Sequence, residues 1–377
     1  MKNILFLSNG YGEDTIAAYI ITNLRKKTDC NISAFPLVGT GKSYQSFDIT
    51  IVGPCRDLPS AGDLHSPVRL FQDIKSGLFN LLLEQYLFLR KIRKNIHIAV
   101  ASGDIYPVIM ASFSGIKPLV FIGTAKSNRY YPYSYAEKFL IKKFCNITFT
   151  RDLPTSGDLK KSGINSIYAG NPMMNCFEIS DENFGIEPDR TVIAILPGSR
   201  DVAYRDFPVI LSAVEQIFLM SSVNMSFLAA LSPSIEADKL PASGWDFYRE
   251  NPFTACLKKG RLEIKLIKNK FGDIITRADI VIGQAGTGNE QAAGLGKPVV
   301  AFDSEGHAEP GWYRARQKGL LGDSLSIVNG SGEAIAKEIL SILEDKTRRN
   351  YMSKTGRERM EDKDCLDRIS EEIIKLL

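Results

Sequence analysis

Three short stretches of this 377-residue chain combine residue types that can handle a phosphorylated substrate. The richest is Gly283-Gln284-Ala285-Gly286-Thr287-Gly288-Asn289, followed at once by Glu290-Gln291. Small residues let a ligand approach the backbone, and a helix starting near Glu290 aims unpaired N–H groups at it, which favours anions such as phosphate. The second stretch is Pro197-Gly198-Ser199-Arg200. Its Gly-Ser pair offers backbone and hydroxyl donors. Arg200 either grips a phosphate through two parallel hydrogen bonds or stands as a solvated turn arginine. The third is Gly103-Asp104, where an acid can take a proton from an attacking hydroxyl or hold it by a hydrogen bond. Capping of the helix that follows, from about Tyr106, accounts for the same aspartate equally well. A looser turn, Asn9-Gly10-Tyr11-Gly12-Glu13-Asp14, adds two acids near the N-terminus. Its glycine spacing does not fit the dinucleotide fingerprint, so NAD is not expected. It reads either as a plain first strand-to-helix turn or as a loop lining the acceptor side of an interdomain cleft.

These residues need elements that hold them. Ile280-Val281-Ile282 is a β-branched run typical of a strand buried on both faces, and Val299 to Phe302 is another. Between them a helix spans about Glu290 to Leu295 and ends at Gly296-Lys297-Pro298. The result is a β-loop-α-β unit with its loop at the carboxyl end of a parallel strand, where open α/β sheets bind ligands. Further strands are expected over 2–8, 97–102, 119–123, 146–150, 167–173, 192–196, 225–230 and 262–267, with helices from about Thr15 to Lys26 and from about Phe207. Residues 176–190 are polar and irregular and read as a linker, and 241–252 reads as an insertion. A loop from Ser304 carries His307, Glu309 and Trp312 after a strand; it reads either as a segment that could reach a sugar or an acceptor or, for its lone histidine, as incidental. The chain is helical from Ala334 onward.

The stretch 67–95 differs in texture. Leu70, Phe71, Ile74, Leu78, Phe79, Leu82, Leu83, Tyr86, Leu87 and Leu89 make helical stripes, and Arg90, Lys91, Arg93 and Lys94 gather at the end. One face of such a helix would pack on a sheet, and another would suit peripheral contact with an anionic membrane surface.

Composition bounds the rest. Lys plus Arg number 47 against 43 for Asp plus Glu, a net charge of +4, too mild to indicate nucleic acid. Six scattered cysteines without a CxxC pair argue against a disulfide framework or a zinc site. No signal segment and no membrane-spanning run is present, so a cytoplasmic protein is expected, with peripheral contact at the membrane face as a further expectation.

The turn at Gly286-Thr287, the Glu290-Gln291 pair and the Gly-Lys-Pro end resemble the nucleotide-sugar site of GT-B glycosyltransferases. Over most of its length the chain resembles lipid-A-disaccharide synthases. Leu196-Pro-Gly-Ser-Arg200 matches that family's second-domain opening, Gly170-Asn-Pro-Met173 resembles its exit motif, and Gly103-Asp104 lies where the family carries a catalytic aspartate. The resemblance implies an α/β chain of GT-B architecture, two Rossmann-like domains facing across a cleft. They would span 1–175 on the acceptor side and 191–355 on the nucleotide-sugar side, with 176–190 as linker and a C-terminal helix over 356–377 crossing back to the first domain. It implies metal-independent, inverting transfer without a cofactor: a UDP-sugar is the donor, and a lipid or glycolipid hydroxyl attacks its anomeric carbon. Asp104 would be the base. Gly198, Ser199, Arg200, Gln284, Gly286, Thr287, Gly288, Asn289 and either Glu290 or Gln291 would hold the donor, and Gly10, Gly12, Glu13 and Asp14 would lie on the acceptor side. The position usually acidic in the donor helix falls on Gln291 here. A UDP-N-acetylglucosamine 2-epimerase, another glycolipid transferase, or a binding relative without transfer activity are the rival readings.

Overall fold

The computed structural model describes residues 1–59, 67–199, 202–303, 310–360 and 365–377, with side chains for all of these except 67–70, 310 and 312. The chain divides into two compact units, Met1–Cys176 with Lys363–Leu377, and Phe177–Asp362.

The first unit is built on seven strands: β1 (Asn3–Ser8), β2 (Asn31–Pro36), β3 (Thr50–Ile51), β4 (Ile98–Gly103), β5 (Leu119–Gly123), β6 (Ile147–Thr150) and β7 (Ser166–Ile167). They pair in parallel in the order β3-β2-β1-β4-β5-β6-β7. Successive side chains of a strand point to opposite faces. Ile4 and Phe6 of β1 therefore join a core with Ile16, Ile20 and Ile369, while Leu5 and Leu7 join another with Leu89, Val108 and Ile141. Helices cover both faces, which is why these strands read as unbroken apolar runs.

Several local expectations are corrected. The first helix spans Tyr11–Arg25, so Tyr11, Gly12, Glu13 and Asp14 form its first turn and not a loop. Asp14 N–H donates to Gly10 O at 2.8 Å, starting the helix two residues after β1. The 67–95 stretch is two helices, Pro67–Lys75 and Leu78–Ile92, separated by Ser76-Gly77. The strand expected over 167–173 is short, because the Asn171 side chain accepts the Met173 N–H and caps a 3-10 turn over Pro172–Asn175.

The second unit holds eight strands: β8 (Thr191–Leu196), β9 (Met225–Leu231), β10 (Asp246–Arg249), β11 (Thr254–Lys259), β12 (Leu262–Lys268), β13 (Ile280–Gly283), β14 (Val299–Phe302) and β15 (Leu325–Val328). Their order is β10-β11-β12-β9-β8-β13-β14-β15. From β12 to β15 the pairing is parallel, and β10 and β11 add an antiparallel edge. Ile193, Ile195, Ile280, Ile282 and Val300 pack against Phe207, Ile210, Ile335 and Ile339. Residues after Cys176 are tied to this unit: Asp273 accepts the Ser180 N–H at 2.6 Å and the Ser180 hydroxyl at 2.8 Å.

The end of the chain is two helices where one was expected. Lys346–Met360 lies in the second unit, and Leu366–Lys375 belongs to the first. The latter buries Ile369 and Ile373 beside Ile16 and Ile20, with a Lys27–Asp367 ion pair at 2.7 Å. Among the described residues no helix is long and apolar enough to cross a membrane.

Candidate functional site

In the second unit the strand pair β8–β13 brings two of the glycine turns together. β8 ends at Leu196 and β13 at Gly283, and Gln284 N–H donates to Leu196 O at 2.8 Å. Gly198 adopts φ +101°, a conformation that favours glycine, 3.6 Å (measured from the position a Cβ would take) from Gln284 O. Ser199 is exposed, and its carbonyl accepts the Ser234 hydroxyl at 2.9 Å. Arg200 lies outside the described residues, as do His307 and Glu309. Of Trp312 the backbone alone is described, and it lies in a helix over Pro310–Leu321 and not in the loop expected from Ser304 to Arg314.

The helix after the second turn spans Thr287–Gly294, with Gly286 as its N-cap. Thr287 is exposed and Gly288 and Glu290 are half-buried, whereas Asn289 and Gln291 are buried. Of the two positions considered for a ribose contact, Glu290 is therefore the one at the surface.

A buried polar network lies beneath the turn. The Gln284 amide nitrogen donates to Asp206 Oδ2 at 2.9 Å and to Phe302 O at 3.2 Å, and its oxygen accepts from Phe302 N–H and from Arg314 Nη2. Arg314, 4 % exposed, also donates to Phe302 O at 3.1 Å and to Gln317 Oε1 at 2.9 Å. Gln317 donates to the carbonyls of Ala285 at 3.0 Å and Gly286 at 3.3 Å. Asn289 donates to Gly283 O at 2.9 Å and to Gln317 Oε1 at 3.2 Å. Burial pushes the Arg314 guanidinium below its ordinary range, against the pull of Tyr313, Asp303 and Asp206. Gln284 and Asn289 thus face inward and hold the turn's shape, while Gly198, Ser199, Gly286, Thr287, Gly288 and Glu290 remain where a ligand could meet them. The sequence reading did not single out Asp206 or Gln317. Both sit in ordinary helical text, and nothing local marks a side chain that reaches a turn far along the chain.

In the first unit the carboxyl edge of the sheet carries Asp104. Its Oδ1 accepts the Tyr106 N–H at 2.7 Å, so it caps the helix Ile105–Ser114. A carboxylate has a second oxygen, so capping does not use up its chemistry. Burial raises its pKa above the usual aspartate value, opposed by the Tyr106 N–H and by Asn9; Glu137 adds to the rise and Lys126 lowers it. Asn9 Oδ1 accepts the Asp104 N–H at 3.4 Å, and Ser102 donates to Glu13 O at 3.4 Å, so the first helix and Asp104 share one edge. Asp14 does not point outward. Fully buried, it accepts from Ser8 Oγ at 2.6 Å, and that hydroxyl also meets Tyr44 Oη at 2.6 Å. Loss of water around it pushes its pKa up to about 7.

The helix Leu78–Ile92 is apolar on two sides. Leu81 and Leu89 are buried, while Phe79, Leu83 and Leu87 are exposed, at 65 % for Phe79. Among the described residues no three His, Cys, Asp or Glu side chains could hold a metal ion together.

No family model matches the chain. Among curated proteins it is similar to the lipid-A-disaccharide synthase of Solibacter usitatus, 27 % identical over 150 residues, covering 38 % of this chain and 35 % of that protein. It is 23 % identical over 302 residues to the lipid-A-disaccharide synthase of an Azoarcus species, covering 76 % and 70 %. To lipid-A-disaccharide synthase 2 of Legionella pneumophila it is 25 % identical over 173 residues, covering 44 % and 42 %. The chain thus spans well under half the length of two of these relatives and 70 % of the third. Among solved structures it is similar to the calicheamicin glycosyltransferase CalG4, with TM-score 0.65 and 13 % identity over 100 % of this chain and 98 % of that one. A putative UDP-N-acetylglucosamine 2-epimerase from Listeria monocytogenes gives TM-score 0.62 and 17 % identity over 99 % and 96 %. MurG of Acinetobacter baumannii gives 0.57 and 12 % over 100 % of both chains. The chain is thus similar in sequence to lipid-A-disaccharide synthases, and its fold is that of GT-B proteins, built from two Rossmann-like units.

Proposed function

We propose that this protein is a glycosyltransferase that moves a hexosamine-type sugar from a UDP-sugar to a lipid acceptor. The observation that carries this reading is the pairing of the Gly198-Ser199 turn with the 284–288 turn, at the head of the helix Thr287–Gly294, in a chain similar in sequence to lipid-A-disaccharide synthases. In the closest form of that reaction the donor is a UDP-diacylglucosamine and the acceptor a diacylglucosamine phosphate.

The donor's diphosphate rests on Gly198, Ser199 and the backbone from Gly286 to Gly288, with Arg200 as a further cationic contact and Glu290 on the ribose. Gln284 and Asn289 support these groups from below, and Gln291 is buried in the same helix. The acceptor oxygen attacks the anomeric carbon, the bond from that carbon to UDP breaks, and the acceptor proton passes to Asp104. Its raised pKa suits a base. Backbone donors at the turn stabilise the charge that grows on the departing UDP, which requires no metal. Gly10, Gly12 and Glu13, on the first turn of Tyr11–Arg25, lie on the acceptor side, with Asp14 beneath them. Exposed Phe71, Ile74, Phe79, Leu83 and Leu87, on a segment that also carries Arg90 and Lys91 in the last turn of its second helix, support a peripheral contact with an anionic membrane surface through 67–95.

Two observations favour a second reading. Epimerases of UDP-N-acetylglucosamine are among the similar structures, and Glu290 keeps an acid on the donor helix. Calorimetric titration with UDP, with GDP as control, followed by chromatography of products, decides between them. Selective UDP binding, with UDP and a disaccharide lipid as products, is the expected result. An altered UDP-sugar would mean an epimerase, and absence of uridine nucleotide binding would overturn both.

A further inference from the structure

We propose that Gln317 is a positioning residue that aims the backbone amides of Gly286 and Thr287 at the donor phosphates, and that Arg314 sets which way Gln317 faces. This inference rests on reading the 284–288 turn as the donor site.

The Gln317 side chain reaches the turn from the helix Pro310–Leu321 and donates to two consecutive carbonyls, Ala285 O at 3.0 Å and Gly286 O at 3.3 Å. In a planar trans peptide the C=O and the following N–H point in opposite directions. Drawing the Ala285 carbonyl inward turns the Gly286 N–H outward; the Gly286 carbonyl, which also accepts the Asn289 N–H at 3.2 Å and the Glu290 N–H at 3.4 Å, is held inward by the helix and Gln317 together, which turns the Thr287 N–H outward as well. Two successive outward amides form a concave donor pair suited to an anion. A primary amide could in principle present either its oxygen or its nitrogen to the turn. Here the choice is forced. Arg314 can only donate, and its Nη1 lies 2.9 Å from Gln317 Oε1; Asn289 Nδ2 donates to the same oxygen at 3.2 Å. The oxygen is therefore held on the Arg314 side, and the NH2 group is left for the turn's carbonyls. Arg314 is fixed in turn by Phe302 O and by Gln284. All four residues are buried, so the arrangement does not depend on solvent.

Gln317→Glu tests this with almost no change of shape. It replaces the donor facing two carbonyls with an acceptor, while the new carboxylate gains a cation in Arg314. The wild-type and variant proteins are titrated with UDP and with uridine, and Gly286 and Thr287 amide resonances are followed on adding UDP. The expected result is a loss of UDP affinity of about tenfold or more, that is about 1.4 kcal/mol, with uridine affinity within about twofold. In the wild type both amide resonances move with UDP, and in the variant they do not. Equal UDP affinity in the two proteins, or a parallel loss of UDP and uridine, would overturn the role of Gln317. So would wild-type protein that binds UDP without any shift at Gly286 and Thr287, a measurement that stands even if the variant folds poorly. A wild type that binds no uridine nucleotide would remove the donor reading itself, and the inference with it.

Discussion

Asn9 and Gly103 are complementary: a Cβ on residue 103 would collide with Asn9 Oδ1 and stand 2.9 Å from Glu13 Cγ. Gly103 also has φ +121°, and the same Asn9 oxygen accepts the N–H of Asp104. Gly103→Ala should therefore cost about 1–3 kcal/mol from backbone strain alone, with displacement of Asn9 in addition. Urea denaturation of Gly103→Ala and of Gly103→Ala with Asn9→Ala checks this. The double variant should recover the part of the loss due to Asn9 and keep the strain part and the closer approach to Glu13.

Asp104 caps a helix and is also the proposed base, and one substitution separates the two roles. Asparagine caps about as well as aspartate, so Asp104→Asn should leave the denaturation midpoint nearly unchanged. Turnover should fall by about a hundredfold or more, the usual scale of general-base catalysis, with UDP affinity retained. Unchanged turnover in a steady-state assay would return Asp104 to a purely capping role.

Glu290 and Gln291 should respond differently. Glu290→Gln removes a half-buried surface carboxylate and should weaken UDP binding by about tenfold, as for a charged hydrogen bond of about 1.5 kcal/mol. Gln291→Glu would place a charge at a buried position and should lower stability without tightening nucleotide binding. Calorimetry and thermal denaturation on both variants give the comparison.

Asp14 makes stability depend on pH in an unusual direction. Its folded pKa of about 7 lies above the ordinary value of 3.8, because burial disfavours the charge and Glu13 adds repulsion, outweighing the Ser8 hydrogen bond that favours it. Between about pH 4 and pH 7 the folded protein keeps a proton that the unfolded chain releases, so this group's contribution falls as pH rises through that window. Each unit of separation corresponds to about 1.4 kcal/mol. Asp14→Asn should gain on the wild type as pH is raised from 5 to 8. A gap between their denaturation midpoints that does not change with pH would refute this.

The exposed stripe on Leu78–Ile92 should be dispensable for folding and needed for membrane contact. Replacing Phe79, Leu83 and Leu87 by serine leaves Leu81 and Leu89 in the core. The triple variant should keep its thermal midpoint and lose co-sedimentation with vesicles of anionic phospholipid. Undiminished co-sedimentation would place the contact elsewhere.

Much of the framework was already written in local text. Leu119–Gly123 and Val299–Phe302 are strands over the same residues that their apolar runs indicated, because a parallel strand buried on both faces needs such a run. The glycine turns after β8 and β13 stand at the strands' carboxyl ends for the same reason, since a strand, a small-residue turn and a helix follow one another in the chain. By contrast, β10 mixes polar and aromatic residues and β11 ends in two lysines, and tertiary pairing decided their antiparallel edge. Tertiary structure also decided that Asp14 is buried while Glu290 is half-exposed, that Gln284 faces inward, and that the last helix joins the first unit. Above all it brought Gln317 beneath Ala285 and Gly286. Periodicity reports which face of an element is apolar, whereas a hydrogen bond between residues some thirty positions apart depends on how the elements pack.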